Sequence, residues 1–364
     1  MIAVDVAIVG AGIAGAGLAA AIGDRARVLL IEAEAQPGYH ATGRSAAFWQ
    51  ETYGGPGVQP LTTASGPWLA AGGYLRRRGA LHLDDAADGT AVIQLDAAFG
   101  ARVRLVRLGR SGLAARVPGL RAAWQRGLFE PSTADIDVAA LHEYYLAETR
   151  RYGVRLLCDS PLRTAVRERG HWRIEAGEET IAADLLVNAA GAWADRIAIL
   201  AGAPPLGIRP YRRTVVQLAV DPPAPADMPL VIDAAGRFYF KPEAGGRLWL
   251  SPHDETPCDP CDAAPEEIDV ARAIDRLERV VDWRISRVER SWAGLRSFAP
   301  DRLPVYGFDP RRPGFFWCAG QGGFGIQTAP AGSALAASLL LGLAPDGLAA
   351  DIDAAAYAAD RFAR

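Results

Sequence analysis

Three glycines close to the start of the chain, Gly10, Gly12 and Gly15, carry the GxGxxG spacing. Chemistry at such a turn is done by backbone rather than by side chains. Gly10 permits a tight turn out of a strand, Gly12 lets the backbone approach a pyrophosphate, and Gly15 lets the following helix pack close to the strand. The helix N-terminus then offers free N–H groups and a positive dipole end to the phosphates. Glu32, about 20 residues further on, is placed to accept hydrogen bonds from a ribose. The elements this requires are readable. Apolar runs at residues 4–9 and 28–31 flank the glycines, so residues 1–33 read as a βαβ unit that binds a dinucleotide.

A second candidate for chemistry is weaker. Cys258 and Cys261 have the spacing of half a zinc site, but no second pair exists and His253 is the only nearby histidine. A structural zinc needs four ligands, so the two cysteines read as incidental thiols in the polar loop 253–265.

At 364 residues the chain exceeds what one core sustains, and about two domains are expected. With 50% hydrophobic and 22% charged residues, the composition is that of a soluble globular protein. A net charge of −3 argues against nucleic acid as a main partner. No apolar run reaches the roughly 20 residues that span a bilayer, so no stable membrane insertion is expected. The N-terminus runs straight into a strand without a signal pattern, and a cytoplasmic location is expected.

Further along, a glycine-rich and small-polar loop at 36–47 reads as a surface connection or as a second cofactor contact through backbone N–H groups, Arg44 and Ser45. Residues 81–84 and 92–95 resemble strands, 113–117 a short helix ended by Pro118, and 138–152 a helix capped by Asp137. Residues 164–167 and 172–175 read as a hairpin around Gly170. A buried strand at 184–188 runs into the small residues 189–192, a second close approach of backbone to a flat ligand, followed by a helix at 194–201. Alternating segments at 214–218, 238–241 and 247–250 predict an antiparallel sheet, crossed by a helix at 265–281. The chain ends with a buried strand at 315–318, a glycine-rich turn at 319–327 and a small-residue helix at 329–343. The expected fold is therefore α/β, a Rossmann-like domain with an interleaved antiparallel-sheet domain. The nucleotide domain takes residues 1–75, 132–204 and 299–364, and the substrate domain 76–131 and 205–298.

The N-terminal fingerprint, Gly43-Arg44-Ser45, the 187–193 segment and the C-terminal glycine turn together resemble the flavin-dependent D-amino acid oxidase and glycine oxidase family, over essentially the whole chain. Segments 36–40, 42–47, 292–298 and 321–328 are most similar to the bacterial D-arginine dehydrogenases within it. The resemblance implies non-covalent FAD. It implies contacts to FAD from Gly10, Gly12, Ile13, Ala14 and Gly15, from Glu32 and Ala33, and from Gly43, Arg44, Ser45 and Ala46. Further contacts would come from Ala190, Gly191 and Trp193, and from Gly322, Gly323, Gly325, Ile326 and Gln327. Cys318 precedes the last turn, but its strand position suits burial better than flavin attachment.

The same resemblance implies a substrate carboxylate gripped by Arg296, whose planar fork binds in two places. Arg213, Tyr239 and Tyr53 match further site residues, and because Arg212 and Arg213 are adjacent on a strand only one of them faces the site. The Gly323 carbonyl and the Gln327 side chain are candidates to hold the amine. Two positions depart from the D-arginine pattern: Phe48 stands where those enzymes have His, and Ala80 matches their substrate-contacting Glu. A guanidinium would go unpaired there, at a cost of several kcal/mol. Phe48, Trp49 and Ala80 instead predict an apolar pocket. The expected reaction is hydride transfer from Cα of an uncharged D-amino or imino acid to flavin N5, giving a 2-oxo acid and ammonia. Oxidation of a 2-hydroxy acid on the same scaffold, or a non-catalytic FAD-binding subunit, are the alternatives. The electron acceptor is left open.

Overall fold

The computed structural model describes residues 1–85 and 89–362. Residues 86–88 and 363–364, within the expected 76–131 and 299–364 segments, lie outside it.

The first sheet runs in the order Leu162–Glu168, His171–Ala176, Glu179–Asn188, Ile2–Val9, Val28–Ile31, Arg155–Leu157, with Phe315–Ala319 pairing Glu179–Asn188 and Val305–Phe308 pairing Phe315–Ala319. The central pairings are parallel: Val6 to Val9 run beside Val28 to Ile31 and beside Leu185 to Asn188. Both faces of these strands are covered, which is why they read as unbroken apolar runs rather than alternations. One face packs on the helices Ile13–Ile22 and Ala329–Leu340, the other on Ala194–Leu200. The helix Val138–Arg151 starts as expected, with the Asp137 side chain accepting from the Ala140 N–H at 2.9 Å, and lies against Ile13–Ile22.

The second sheet has ten strands and is built around the long pair Arg209–Asp221 and Arg284–Phe298. It is antiparallel apart from one parallel pairing, Leu230–Asp233 beside Ala80–Asp84. Its outer face is apolar and packs under the helix Glu267–Glu278. A three-stranded sheet of Phe48–Trp49, Ala134–Ile136 and Leu75–Arg77 completes the strands.

Two local expectations are corrected. Residues 92–95 belong to the helix Thr90–Phe99, not to a strand; a four-residue apolar run has no period of its own, and the flanking Gly89 and Gly100 bound a helix-length segment. The short helix expected at 113–117 spans Arg110–Ala114, with turn hydrogen bonds carrying the chain on to Val117. No helix among the described residues is long and apolar enough to cross a membrane.

Candidate active site

The carboxyl ends of the parallel strands open onto a cleft of about 410 Å³, the position where open α/β sheets bind ligands. Gly10 makes the turn with φ +101°, and a Cβ on Gly15 would lie 1.9 Å from the Gly10 carbonyl oxygen. Only glycine at both positions lets the helix start this close to the strand. Glu32 lies at the end of the neighbouring strand. Its carboxylate accepts from Ala11 N–H at 2.9 Å and Glu34 N–H at 3.1 Å. Each oxygen keeps a lone pair for a hydroxyl donor.

Of the residues expected at the cofactor, Gly10, Gly12, Ile13, Ala14, Glu32, Ala33, Ser45, Ala190, Gly191, Trp193, Gly322, Gly323, Gly325 and Ile326 line this cleft. Gly15 lies behind it, packed on Gly10. Gly43 is part of the turn beside the cleft, its N–H bonded to the Gly38 carbonyl at 2.8 Å.

Arg44 is not among the residues that line the cleft. Its guanidinium donates to the Ala263 carbonyl at 2.8 Å, pairs with Asp262 and stacks over Tyr39 at 4.9 Å, so it clamps two loops together instead of lining the cleft. Thr42 does what was not foreseen: its hydroxyl accepts from Ile13 N–H at 3.0 Å, the first helical residue after the glycine turn. Ser160, Leu162, Arg196 and Leu200 also line the cleft without having been anticipated. They come from two separate stretches of chain, and no spacing rule connects them.

A narrow side pocket of about 20 Å³ joins the cleft, and Ser45, Arg296, Gly323 and Ile326 border both. Ala46, Ala47, Phe48, Tyr53, Arg213, Tyr239 and Gln327 complete its wall. The two arginines meet because of strand register. Arg296 is opposite Tyr211, two residues from Arg213, so both side chains leave the same face of the sheet. The same alternation sends Arg212 the other way, to Glu266 and Asp269. It also separates Phe48, which faces the pocket, from Trp49, whose indole N–H donates to the Thr62 carbonyl at 2.8 Å on the opposite side. Trp49 is therefore not a pocket residue. Ala80 is fully buried in one apolar cluster with Phe48 and Tyr239.

The electrostatics of the pocket are lopsided. Burial works against the Arg213 charge, but Tyr53, Tyr239, Glu255 and Asp254 outweigh it and hold the guanidinium above its usual value. Its partners are Glu255 at 3.0 Å and the Asp254 carbonyl at 2.7 Å. Arg296 is 7% exposed, and among the described residues its guanidinium makes one hydrogen bond, to the carbonyl of the adjoining Leu295 at 3.3 Å. Burial and then the Arg213 charge push it below its ordinary value; a guanidinium stays charged regardless.

Burial raises the Tyr239 phenol, which stays protonated at neutral pH. His253, whose ring lies 5.8 Å from that of Tyr239, is driven down to about 3 by burial and Arg213 and is a neutral imidazole. Among the described residues, no carboxylate, imidazole or lysine lines the side pocket.

The Gln327 amide is engaged within the protein, accepting from Gln50 N–H at 3.1 Å and donating to the Tyr53 carbonyl at 3.1 Å and the Thr62 hydroxyl at 2.9 Å. Both its donors are occupied, so it braces the wall. Cys318 is buried, and its thiol is raised to about 12 by burial alone. Cys258 and Cys261 lie with their sulfurs 3.5 Å apart. Among the described residues, no group of three or more His, Cys, Asp or Glu could hold a metal ion.

A cleft with a pyrophosphate turn, a ribose acceptor and a glycine-lined far end fits FAD. Comparison with known proteins agrees. Glycine oxidase from Pseudomonas aeruginosa is 28% identical over 67% of this chain and 65% of its own length. The FAD-dependent oxidoreductase domain-containing protein 1 of Xenopus laevis is 27% identical over 45% of the chain, which spans only 36% of that protein. Rat dimethylglycine dehydrogenase is matched over 15% of its length.

Among solved structures, glycine oxidase from Geobacillus kaustophilus superposes with a TM-score of 0.83 at 22% identity, covering 94% of this chain and 96% of that one. L-proline dehydrogenase from P. horikoshii gives 0.84 at 20% identity, covering 100% and 98%. These two likenesses are of fold. The model of the family described as DAO, FAD dependent oxidoreductase, matches residues 5–339, nearly the whole chain, and the protein belongs to that family.

Proposed function

We propose that this flavoprotein oxidises a small, uncharged D-amino or imino acid to the imino acid, which water converts to a 2-oxo acid and ammonia. The observation that carries the reading is Arg296, a buried guanidinium with no acidic side chain paired to it among the described residues. A buried cation without a counter-ion is costly, and a planar carboxylate is the ligand its fork fits.

In this reading Arg296 and Arg213 grip the substrate carboxylate, the Tyr239 and Tyr53 hydroxyls donate to it, and the Gly323 carbonyl accepts from the amine. Phe48, 5.2 Å from Tyr53 and 5.6 Å from Tyr239 by ring centroids, closes the side-chain end, with Ala80 packed in the same apolar cluster. The absence of an acid there disfavours D-arginine, and the narrowness of the pocket favours glycine, sarcosine, D-alanine or D-proline. The D configuration rests on the resemblance of the 292–298 and 321–328 segments.

Bound FAD would supply the two-electron acceptor, taking hydride from Cα at N5. The protein's part is to fix Cα against it and exclude water. The buried, unreactive Cys318 supports non-covalent attachment. Residues 1–75, 132–204 and 299–364 would hold the cofactor, and 76–131 and 205–298 the substrate. All four cysteines are free, which supports a cytoplasmic setting.

Because no base lines the pocket among the described residues, the amine arrives unprotonated in this reading. We expect kcat/KM to rise about tenfold per pH unit until the pH reaches the pKa of the substrate's own amino group. The deciding experiment is anaerobic flavin bleaching by glycine, sarcosine, D-alanine, D-proline, D-arginine, L-alanine and lactate, with ammonia measured. Fastest bleaching by a small D-amino or imino acid with ammonia release is the expected result. Preference for D-arginine, for L-alanine or for lactate without ammonia would overturn the reading.

A further inference from the structure

Phe48 and Tyr53 reach the side pocket from one short piece of chain, the two-residue strand Phe48–Trp49 and the turn that follows it. So short a strand does not fix where two rings point. What holds the turn is a carboxylate outside the pocket. Glu130 ends the strand Arg126–Glu130 and is 0% exposed. It accepts from the Gln50 side-chain amide at 3.1 Å, the Glu51 N–H at 3.0 Å and the Thr52 hydroxyl at 2.7 Å, three consecutive residues of the turn. His82, on the neighbouring strand, lies 3.3 Å from the same carboxylate. From the opposite side Gln327 holds Gln50 N–H and the Tyr53 carbonyl.

We propose that the buried Glu130–His82 pair is a positioning element that fixes Phe48 and Tyr53 at the substrate, and so sets how tightly the site holds its ligand. This inference rests on the reading of the side pocket as the substrate site. Burial alone would raise the Glu130 carboxyl, but His82, Thr52 and Gln50 more than offset it and keep it below the usual carboxylate range. The anion therefore needs all its donors. Any sliding of residues 50–52 would strand a charge where no water reaches, so the turn has one favoured position instead of a range.

Register places this anchor beside the pocket's apolar end. Glu130 is the cross-strand partner of Ala80, and His82 is two residues along from it on the same face. In effect the sheet buries its carboxylate one strand away from a residue packed with Phe48 and Tyr239, as support for those rings.

The test compares the holoenzyme with Glu130→Gln, Thr52→Val and Thr52→Ser. Two quantities are read: the acetate dissociation constant, from perturbation of the flavin spectrum, and KM against kcat for the best substrate of the panel. Glu130→Gln should weaken acetate and raise KM about tenfold or more, with kcat within about threefold and FAD content unchanged. Thr52→Val, which removes the shortest donor while keeping the shape, should do the same more mildly, and Thr52→Ser should restore wild-type values.

A role in folding alone would lower the melting temperature and leave acetate affinity and KM untouched, and that result overturns the proposal. So does Thr52→Ser behaving like Thr52→Val. If Glu130→Gln does not fold, the Thr52 pair decides. If no amino acid bleaches the wild-type flavin, the functional reading fails, while the acetate ratios still judge the positioning role.

Discussion

Arg296 and Arg213 share one face of one sheet, yet among the described residues only Arg213 of the two has a carboxylate partner. That asymmetry divides their roles. Replacing Arg296 by Ala should raise KM by roughly a hundredfold, on the order of 3 kcal/mol, with a much smaller change in kcat. Arg296→Lys should recover only part of it, because a point charge lacks the second hydrogen bond of the fork. Steady-state kinetics on the preferred substrate checks both.

Most of this wall was legible in the sequence through motif resemblance, and strand alternation explains which member of each pair faces in: Arg213 and not Arg212, Phe48 and not Trp49. Arg44 and Gln327 could not be read, because a long polar side chain is defined by partners hundreds of residues away in sequence, Asp262 for one and Gln50 for the other.

Among the elements, the turn of glycines and the helix Ile13–Ile22 behave as one unit. A methyl on Gly15 has no room against the Gly10 carbonyl, so Gly15→Ala must push the helix N-terminus off the strand. We expect purified Gly15→Ala to carry a small fraction of the wild-type FAD, read from the ratio of flavin to protein absorbance, whereas a Cβ on Gly17, further along the same helix and outside the cleft lining, would meet the Ser333 hydroxyl instead.

This unit was readable because fingerprint, flanking strands and Glu32 agree with one another. The helix Thr90–Phe99 was not, since its four apolar residues suit a strand equally well. Thr42 was hidden for a different reason: it satisfies a helix it does not belong to, and such long-range capping leaves no local trace.

For the molecule as a whole, acid is the weak side. His253 is neutral in the fold down to about pH 3, whereas an unfolded histidine takes up a proton near 6.5. The unfolded chain therefore binds the extra proton throughout that window, and stability falls as pH drops from 6.5 towards 3. Asp135, whose carboxyl is held down by Arg78 and Lys241 against the effect of burial, and Glu130 add to the loss at the lower end. Melting temperatures measured from pH 7 to pH 4 should decline, and His253→Gln should flatten the upper part of that decline if the variant folds as the wild type does.

The wall shared by the two cavities has one more consequence. Ser45, Arg296, Gly323 and Ile326 border both, so whatever fills the cleft becomes one side of the small pocket. Two ligands that share a boundary cannot bind independently, and linkage makes their influence mutual. A simple carboxylate such as acetate should tighten the binding of FAD to the protein by the same factor by which FAD tightens acetate. Titrating each in the presence of the other measures that factor from both ends, and the Arg296→Ala variant should reduce it towards one.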